Sequence, residues 1–585
     1  MSSDSYTDKD TSSSILPFFL PRIIPDWADS CCINNHPATN LDHASIYHGF
    51  SLQRLAWAVQ HGADPKSIKR YLQPFSALTI ATELGTEVKG DSGGPYFPIL
   101  YFAVERNSPD IVQILCEAGA KPEQRMRSSG ISIIRVPLLA YAIFSAEYDL
   151  SDSNGTVITL LAMGTNPLDV PKDMWEDYLK APIKDNAGPV EHEDTQDLWC
   201  TPDLRAALCR NLNLAQRYFL WNAVRIEQPN ARMRQFARAD KITPLFEIPY
   251  HMIGQQQATK QVIECMRNHA NLNIAKPLVL LFTGPSGHGK TELANRVGDL
   301  LSLETLRIDC TEMSQEEDMF GWKGGYHSTS TGTPLNNFIA KWTGQRALIF
   351  LDEFDKTTVD VRKTLLLPFE DGFYRDRRTQ NALDGSKFIW VLASNLGSWT
   401  INEFWAEHLK DRSQDQQKKA PYHKLATTLQ HVVTASFGAP MMGRLTMIVP
   451  FLPFDKGEQA VAAYKFMREM WNERKKPISV ISNELVQHIH VTYIDDGQIA
   501  TYLAKHGYSI ETGARPLANT VNREIGLRLT DQFSREDGEV VDAMNDLPLP
   551  NYDVRVVTLD DDSEELQVRR FGSKQVLVNR DCLDE

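Results

Sequence analysis

No apolar run in this sequence approaches the roughly 20 residues that a helix needs to cross a bilayer, so no membrane partner is expected. Cysteine is sparse and scattered. Of eight, only Cys31 and Cys32 are adjacent, and there is neither a CxxC pair nor a Cys/His cluster at zinc spacing. Reduced thiols in a cytosolic or nuclear protein are the state this pattern suggests. Positive charge is in deficit: 61 Lys and Arg stand against 75 Asp and Glu, a net charge of −14. A nucleic-acid binder usually shows a basic surplus, so no nucleic-acid partner is expected, although a local basic groove can sit inside an acidic chain. A leader peptide is not legible either. The apolar patch Ile15-Leu-Pro-Phe-Phe-Leu-Pro-Arg-Ile-Ile-Pro25 is broken by prolines and preceded by Asp4, Asp8 and Asp10, which suits neither a secretory nor a mitochondrial leader. The expectation is a soluble intracellular protein, cytoplasmic first, nuclear second, and mitochondrial last for want of a clear presequence.

What is present fits an ordinary globular chain. Its 585 residues, 42% hydrophobic and 23% charged, exceed one core and suggest about two to four domains. The stretch that organises them is Gly284-Pro285-Ser286-Gly287-His288-Gly289-Lys290-Thr291. It follows the apolar run Leu278-Val-Leu-Leu-Phe282 and leads into the helix formers Glu292-Leu-Ala-Asn-Arg296. That strand–loop–helix context turns a glycine pattern into a phosphate-binding loop. The glycines let backbone N–H groups point inward, and the new helix adds the positive end of its dipole. Lys290 is expected to neutralise the β- and γ-phosphates of ATP, and the Thr291 hydroxyl to ligate Mg²⁺.

Ahead of this loop, residues 1–45 are Ser/Asp/Thr-rich, then proline-punctuated, and read as a disordered arm. Residues 46–170 show a loose self-similarity. Pro98-Ile-Leu-Tyr-Phe-Ala103 recurs as Pro137-Leu-Leu-Ala-Tyr-Ala142, which resembles the TPLHxA signature of ankyrin repeats. The segments His61-Gly-Ala-Asp-Pro65, Ala118-Gly-Ala-Lys-Pro122 and Met163-Gly-Thr-Asn-Pro167 rhyme as helix endings. The two PxLxxA copies lie 39 residues apart, against about 33 for an ankyrin unit, which implies an insertion around 125–134. About three stacked units holding partner proteins are expected, with a generic helical domain as the rival reading. Residues 171–240, with Trp175, Trp199 and Trp221, read as a helical connector.

Behind the phosphate loop, Arg346-Ala-Leu-Ile-Phe-Leu-Asp352-Glu353 is a buried strand ending in two carboxylates. Asp352 is expected to hold Mg²⁺ through water and Glu353 to activate the attacking water. Phe388-Ile-Trp-Val-Leu-Ala-Ser-Asn395 is a second such strand, whose terminal amide can bond the γ-phosphate or that water. Arg444 and Arg515, in Gly443-Arg-Leu and Gly513-Ala-Arg-Pro516, carry guanidinium groups suited to phosphate oxygens; singly, each also reads as a surface ion pair.

Residues from about 245 to 545 resemble the AAA+ module of the Clp family of protein unfoldases, most of all the second ATPase module of ClpB-type disaggregases and their ankyrin-bearing relative in animal mitochondria. Ile253-Gly-Gln-Gln256 matches the family's IGQ segment near the adenine, and Asp309-Cys-Thr-Glu-Met-Ser314 its D-x-S/T-E-x-S stretch. Ser394-Asn-Leu-Gly-Ser398 matches sensor 1, Arg444 the arginine finger, and Gly513-Ala-Arg-Pro-Leu517 sensor 2. Gly325-Tyr326-His327-Ser328 aligns with the pore loop Gly-Tyr-Val-Gly, with His and Ser in place of Val and Gly. The resemblance implies an α/β P-loop large subdomain over 241–455 and a small helical lid over 456–545, with Arg444 acting on a neighbour's γ-phosphate in a homo-hexamer. Tyr326 offers a flat amphipathic face for gripping any chain, although a turn tyrosine packed on its domain is its plainer reading. The loop Asp371-Gly-Phe-Tyr-Arg-Asp-Arg-Arg378 is a second candidate to line a channel. Residues 546–585 read as a β-hairpin and tail, and His488 with His490 as structural. The expected function is ATP-driven remodelling of unfolded or aggregated protein clients. The rival is a nucleotide-switched ankyrin scaffold without threading.

Overall fold

The computed structural model describes residues 20–23, 49–88, 96–125, 135–149, 152–182, 199–271, 276–322, 332–536, 540, 549–560 and 562–574. The chain divides into two compact units, the first ending at Val224 and the second running Arg225–Lys574. Among the described residues no helix is long and apolar enough to cross a membrane.

The first unit is helical: α1 Leu52–Gln60, α2 Pro65–Leu72, α3 Ala77–Leu84, α4 Ile99–Glu105, α5 Pro109–Ala118, α6 Leu138–Asp149, α7 Asn154–Met163, α8 Pro202–Asn211 and α9 Leu214–Ala223. The helices pack in two layers. In one, α1, α4, α6 and α8 stack in succession; in the other, α2, α5, α7 and α9 do. The PxLxxA copies open α4 and α6, whose inward faces are fully buried, and the Tyr101 hydroxyl donates to the Val136 carbonyl at 2.8 Å between them. The insertion expected around 125–134 lies, beyond Arg125, outside the described residues. The rhyming Gly-x-x-Pro endings all stop a helix, since Gly62, Gly119 and Gly164 take positive φ at the close of α1, α5 and α7. Their phase differs, however. The first joins the two helices of a pair, whereas the others close a pair.

The stretch expected as a connector contributes its own pair. Asn213 opens α9 with a reciprocal cap to Gln216, and Gln216 Nε2 reaches back to Ser153 Oγ at 3.0 Å. Arg217, buried, is held by the Tyr178 and Leu212 carbonyls at 2.8 and 2.9 Å. The expected arm is described only at 20–23, and there it is packed rather than loose. Leu20 and Ile23 are buried, and the Gln60 amide of α1 pairs with Ile23 N and Pro21 O at 2.9 and 3.0 Å.

The second unit is built on a parallel sheet of β1 Leu278–Thr283, β2 Thr305–Asp309, β3 Leu348–Asp352, β6 Ile389–Ser394 and β7 Met447–Pro450, in the order β2-β3-β6-β1-β7. Alternate residues feed two cores. Leu280, Phe282, Phe350 and Val391 face α10 (Gln256–Asn271) and α11 (Lys290–Leu300), while Val279, Leu281, Leu351 and Trp390 face Leu335, Val361, Phe369 and Val433. Strands buried on both faces need the continuous apolar runs seen in the sequence. The candidate channel loop forms a small hairpin of β4 Phe373–Arg375 and β5 Ala382–Asp384, pinned by Asn336 Nδ2 on buried Asp376 at 2.9 Å.

The lid departs from the helical expectation. It contains α13 (Lys456–Arg474) and α14 (Asp496–Gly507), with α12 (Val359–Asp371) preceding them in the large subdomain. It also contains a strand, β8 His490–Tyr493, that pairs in parallel with β9 Leu549–Thr558, itself antiparallel to β10 Glu564–Lys574. The C-terminal hairpin therefore completes a lid sheet rather than standing apart. His490 is a register residue there, its Nδ1 bonding Asn551 Oδ1 at 2.9 Å across the parallel pair.

The cap of α2 is testable. Asp64 accepts from Lys66 N and Ser67 N at 2.9 and 3.0 Å and from the Ser67 hydroxyl, which holds its carboxyl below the usual carboxylate range. Asp64→Ala should lower stability by about 1 kcal/mol in urea unfolding at neutral pH. Because the folded-state value is depressed, the wild-type advantage should be complete at neutral pH and disappear as pH falls through the acid range.

Candidate nucleotide site

Strand order decides what meets at the C-terminal edge of the sheet. Residues 284–289 follow β1, Asp352 and Glu353 end β3, and Asn395 ends β6, the strand lying between them. Asn395 consequently bridges the two: Lys290 Nζ donates to Asn395 Oδ1 at 2.9 Å, and Asn395 Nδ2 donates to Glu353 Oε2 at 3.0 Å. Lys290 also donates to the Gly284 and Pro285 carbonyls at 2.6 and 3.0 Å. Burial pulls its ammonium down to about 8; Arg515 adds to the lowering, while Glu353, Asp352 and Asp355 oppose it. Arg515, which follows α14, is thus near enough for its charge to act on Lys290. Glu353 sits at φ 51°, a left-handed conformation uncommon for a non-glycine residue and concentrated at functional sites.

The phosphate loop and lid touch backbone to backbone. Gly287 has φ 74°, and a Cβ there would lie 2.1 Å from the Thr512 carbonyl oxygen. Gly513 is equally tight against Gly287, and Ala514 N donates to Gly287 O at 3.0 Å. Both glycines are required by close approach rather than by turn chemistry alone. Ile253 lies beside Gly254, whose own missing Cβ leaves room for Glu458 and Phe454; Gln255 clamps Leu452 through its amide at 2.8 and 3.1 Å.

Oxygen donors suited to Mg²⁺ converge here, with Thr291 Oγ1 3.5 Å from Asp352 Oδ2. These two would hold the ion, which when bound neutralises charge on the β- and γ-phosphates. Arg307 also reaches this carboxylate, 2.8 Å from Asp352 Oδ2. Sequence reasoning missed Arg307 because nothing marks it until β2 and β3 are known to be neighbours. It also left Asp355 unassigned, although Asp355 Oδ1 accepts from Asn395 N at 3.1 Å and so fixes the bridging residue.

Two expected groups stand elsewhere. Arg444 is held by the Leu366 and Pro440 carbonyls at 2.9 and 2.7 Å and by the Glu370 carboxylate, and it does not join the Lys290 cluster. Gly325, Tyr326 and His327 lie outside the described residues. Pro285, Ser286, His288 and Gly289 lie with Gly284 and Gly287 in the loop between β1 and α11.

The model of the AAA domain (Cdc48 subfamily) matches residues 276–448, and that of the C-terminal, D2-small domain of ClpB protein matches 481–544. The chain carries an AAA+ ATPase module of the ClpB type. The chaperone protein ClpB of Chlamydia pneumoniae is 25% identical over 309 residues, covering 51% of this chain and 33% of that protein. The mitochondrial disaggregase of Bos taurus is 25% identical over 350 residues, covering 56% of this chain and 48% of that protein. The chain therefore spans about a third to a half of these relatives' lengths. A closed-state cryo-EM reconstruction of Hsp104 with ATPγS and FITC casein aligns with 75% of this chain and 69% of that chain at 20% identity and a TM-score of 0.42.

Within the AAA+ module, the lowered ammonium of Lys290 has a measurable consequence. A triphosphate bound beside it favours the protonated form, so binding should take up a proton near and above pH 8. Nucleotide affinity should fall as pH rises past about 8, and titration calorimetry in buffers of different ionisation enthalpy should register that uptake.

Proposed function

We propose that this chain hydrolyses ATP to remodel other polypeptides, drawing them through the centre of a homo-hexameric ring. The observation that carries this reading is the Lys290–Asn395–Glu353 chain at the ends of three adjacent parallel strands. It puts a phosphate-binding cation, a reporter amide and a general base within one hydrogen-bonded run, which is the equipment for in-line attack by water. With ATP bound, Lys290 turns from its loop carbonyls to the phosphates and releases Asn395. Asn395 then orients the water or the γ-phosphate, and Glu353 takes the proton from that water. Asp352 and Thr291 would hold Mg²⁺, and Arg515 would follow the phosphates from the lid.

Arg444 is read as a finger supplied to a neighbour: it lies just before β7, outside its own Lys290 cluster, and is held to α12. A finger in trans makes the ring a condition of fast turnover. The names of the ClpB and mitochondrial disaggregase relatives support unfolded or aggregated proteins as clients, with Tyr326 gripping the chain. The stacked helix pairs of the first unit are read as ankyrin-like repeats that hold partner proteins.

Glu353→Gln should keep nucleotide bound and cut turnover by about 10²-fold or more, the usual contribution of a positioned base. Tyr326→Ala should retain ATPase activity and lose unfolding of a fluorescent test protein. The deciding experiment is ATPase activity with and without an unfolded polypeptide, alongside native mass measurement with ATP. Stimulated turnover by a hexamer is expected. A monomer with slow, unstimulated turnover overturns the threading reading and leaves a nucleotide-switched scaffold.

A further inference from the structure

The nucleotide site uses the loop's glycines, Lys290 and Thr291, and gives the side chain of His288 nothing to do. Yet that side chain is fully buried, at 0% exposure. A buried imidazole needs partners for both nitrogens. His288 Nδ1 lies 2.8 Å from the Ser286 carbonyl oxygen, which can only accept, so Nδ1 carries the proton. Burial pulls the imidazole down to about 4, leaving Nε2 bare at neutral pH. Nε2 therefore accepts from the Tyr508 hydroxyl at 3.0 Å. Tyr508, its phenol pushed up to about 12 by burial, accepts in turn from Phe454 N at 3.2 Å.

This run has one donor for each acceptor and joins three parts of the module. Ser286 and His288 belong to the phosphate loop. Tyr508 directly follows α14 of the lid, and Phe454 lies in the hinge between β7 and α13. The rings also pack together, His288 lying 5.1 Å from Phe454 and 6.0 Å from Tyr508 between centroids. There is no slack by which the loop can shift without moving the phenol.

We propose that His288 and Tyr508 are positioning residues that carry a change in the phosphate loop to the hinge and lid, so that nucleotide occupancy sets the lid's posture. The proposal rests on the nucleotide reading of the site. When phosphate draws the loop's N–H groups inward, the Ser286 carbonyl turns and the imidazole follows it. Tyr508 then moves with Nε2, and the hinge amide moves with Tyr508. Arg515, seven residues beyond Tyr508, is carried by the same segment.

The test uses the full chain with Mg²⁺ and a fluorescent ADP for binding, and hydrogen exchange for response. In the wild type, ADP should slow exchange across 451–458 and 508–517. Tyr508→Phe, which keeps the ring and removes one oxygen, should bind within about twofold of wild type, lose that response, and lower kcat about tenfold with little change in KM. His288→Val should lose the same response. The double variant should be about as slow as either single one, because members of one relay are not additive. A retained response in Tyr508→Phe, or single losses that multiply in the double variant, overturns the relay. Wild-type protein that binds ADP without a hinge response also overturns it. Wild-type protein that fails to bind ADP overturns the nucleotide reading and the relay with it.

Discussion

A single amide, Asn395, holds the site together, and it can do so only because β6 lies between β1 and β3. The Lys290 ammonium is buried and would be costly to leave unpartnered. In this state it spends its donors on two loop carbonyls and on Asn395 Oδ1. The other end of the same amide ties Glu353. Lys290, Asn395 and Glu353 are thereby mutually satisfied, and a polyphosphate must compete with that arrangement to bind. Such competition is how a site distinguishes ligand from none: the incoming charge has to be worth more to Lys290 than the oxygens it displaces. Arg307 plays the same part for Mg²⁺ on Asp352, where a guanidinium lies on an oxygen the ion would use.

Steric contact extends the constraint from side chains to backbone. Gly287 and Gly513 meet with no room for a Cβ on either, and Ala514 N closes the contact. A lid seated this tightly cannot report on the loop by loose electrostatics alone. Its position is set by van der Waals contact, which is short-ranged and close to all-or-none. The aromatic trio of His288, Phe454 and Tyr508 lies beside that contact, and its neighbours, half-buried Asp455 and buried Glu458, are pushed toward their neutral forms chiefly by desolvation. In the hinge Phe454 N donates to the Tyr508 hydroxyl and Asp455 N to Glu458 Oε2, and paired groups of this kind transmit small shifts rather than absorb them.

Much of this was readable in the chain because the chemistry is local. A strand, a glycine-rich turn and a helix sit consecutively from Leu278 to Arg296, so the loop needs no tertiary knowledge. The carboxylates at the end of β3 and the amide at the end of β6 were readable for the same reason. What stayed hidden depends on strands that are far apart in sequence. Arg307 acquires a role only through the β2–β3 pairing, and β8 was lost inside a stretch read as helical because parallel pairing with β9 leaves no turn signal. The posture of Arg444 was likewise beyond reach, since its partners Leu366 and Glu370 lie on α12.

The first unit teaches the converse lesson about repeats. The strings that rhyme, at 61–65, 118–122 and 163–167, all mark helix ends, because a left-handed glycine and a following proline stop a helix wherever it lies. They do not mark repeat phase, and counting by them misses the pair α8–α9, which carries no such string. That pair is recognised instead by what it buries. Gln216 and Asn213 bond back to Ser153 and Asn154 of the preceding pair, while Trp221 and Tyr218 close over Tyr178. A stack of this kind is held by contacts between neighbours, so its extent is set by where polar caps and apolar faces find a partner. By that criterion the stack runs to Ala223, and α8 and α9, within the stretch read as a connector, form its last layer among the described residues.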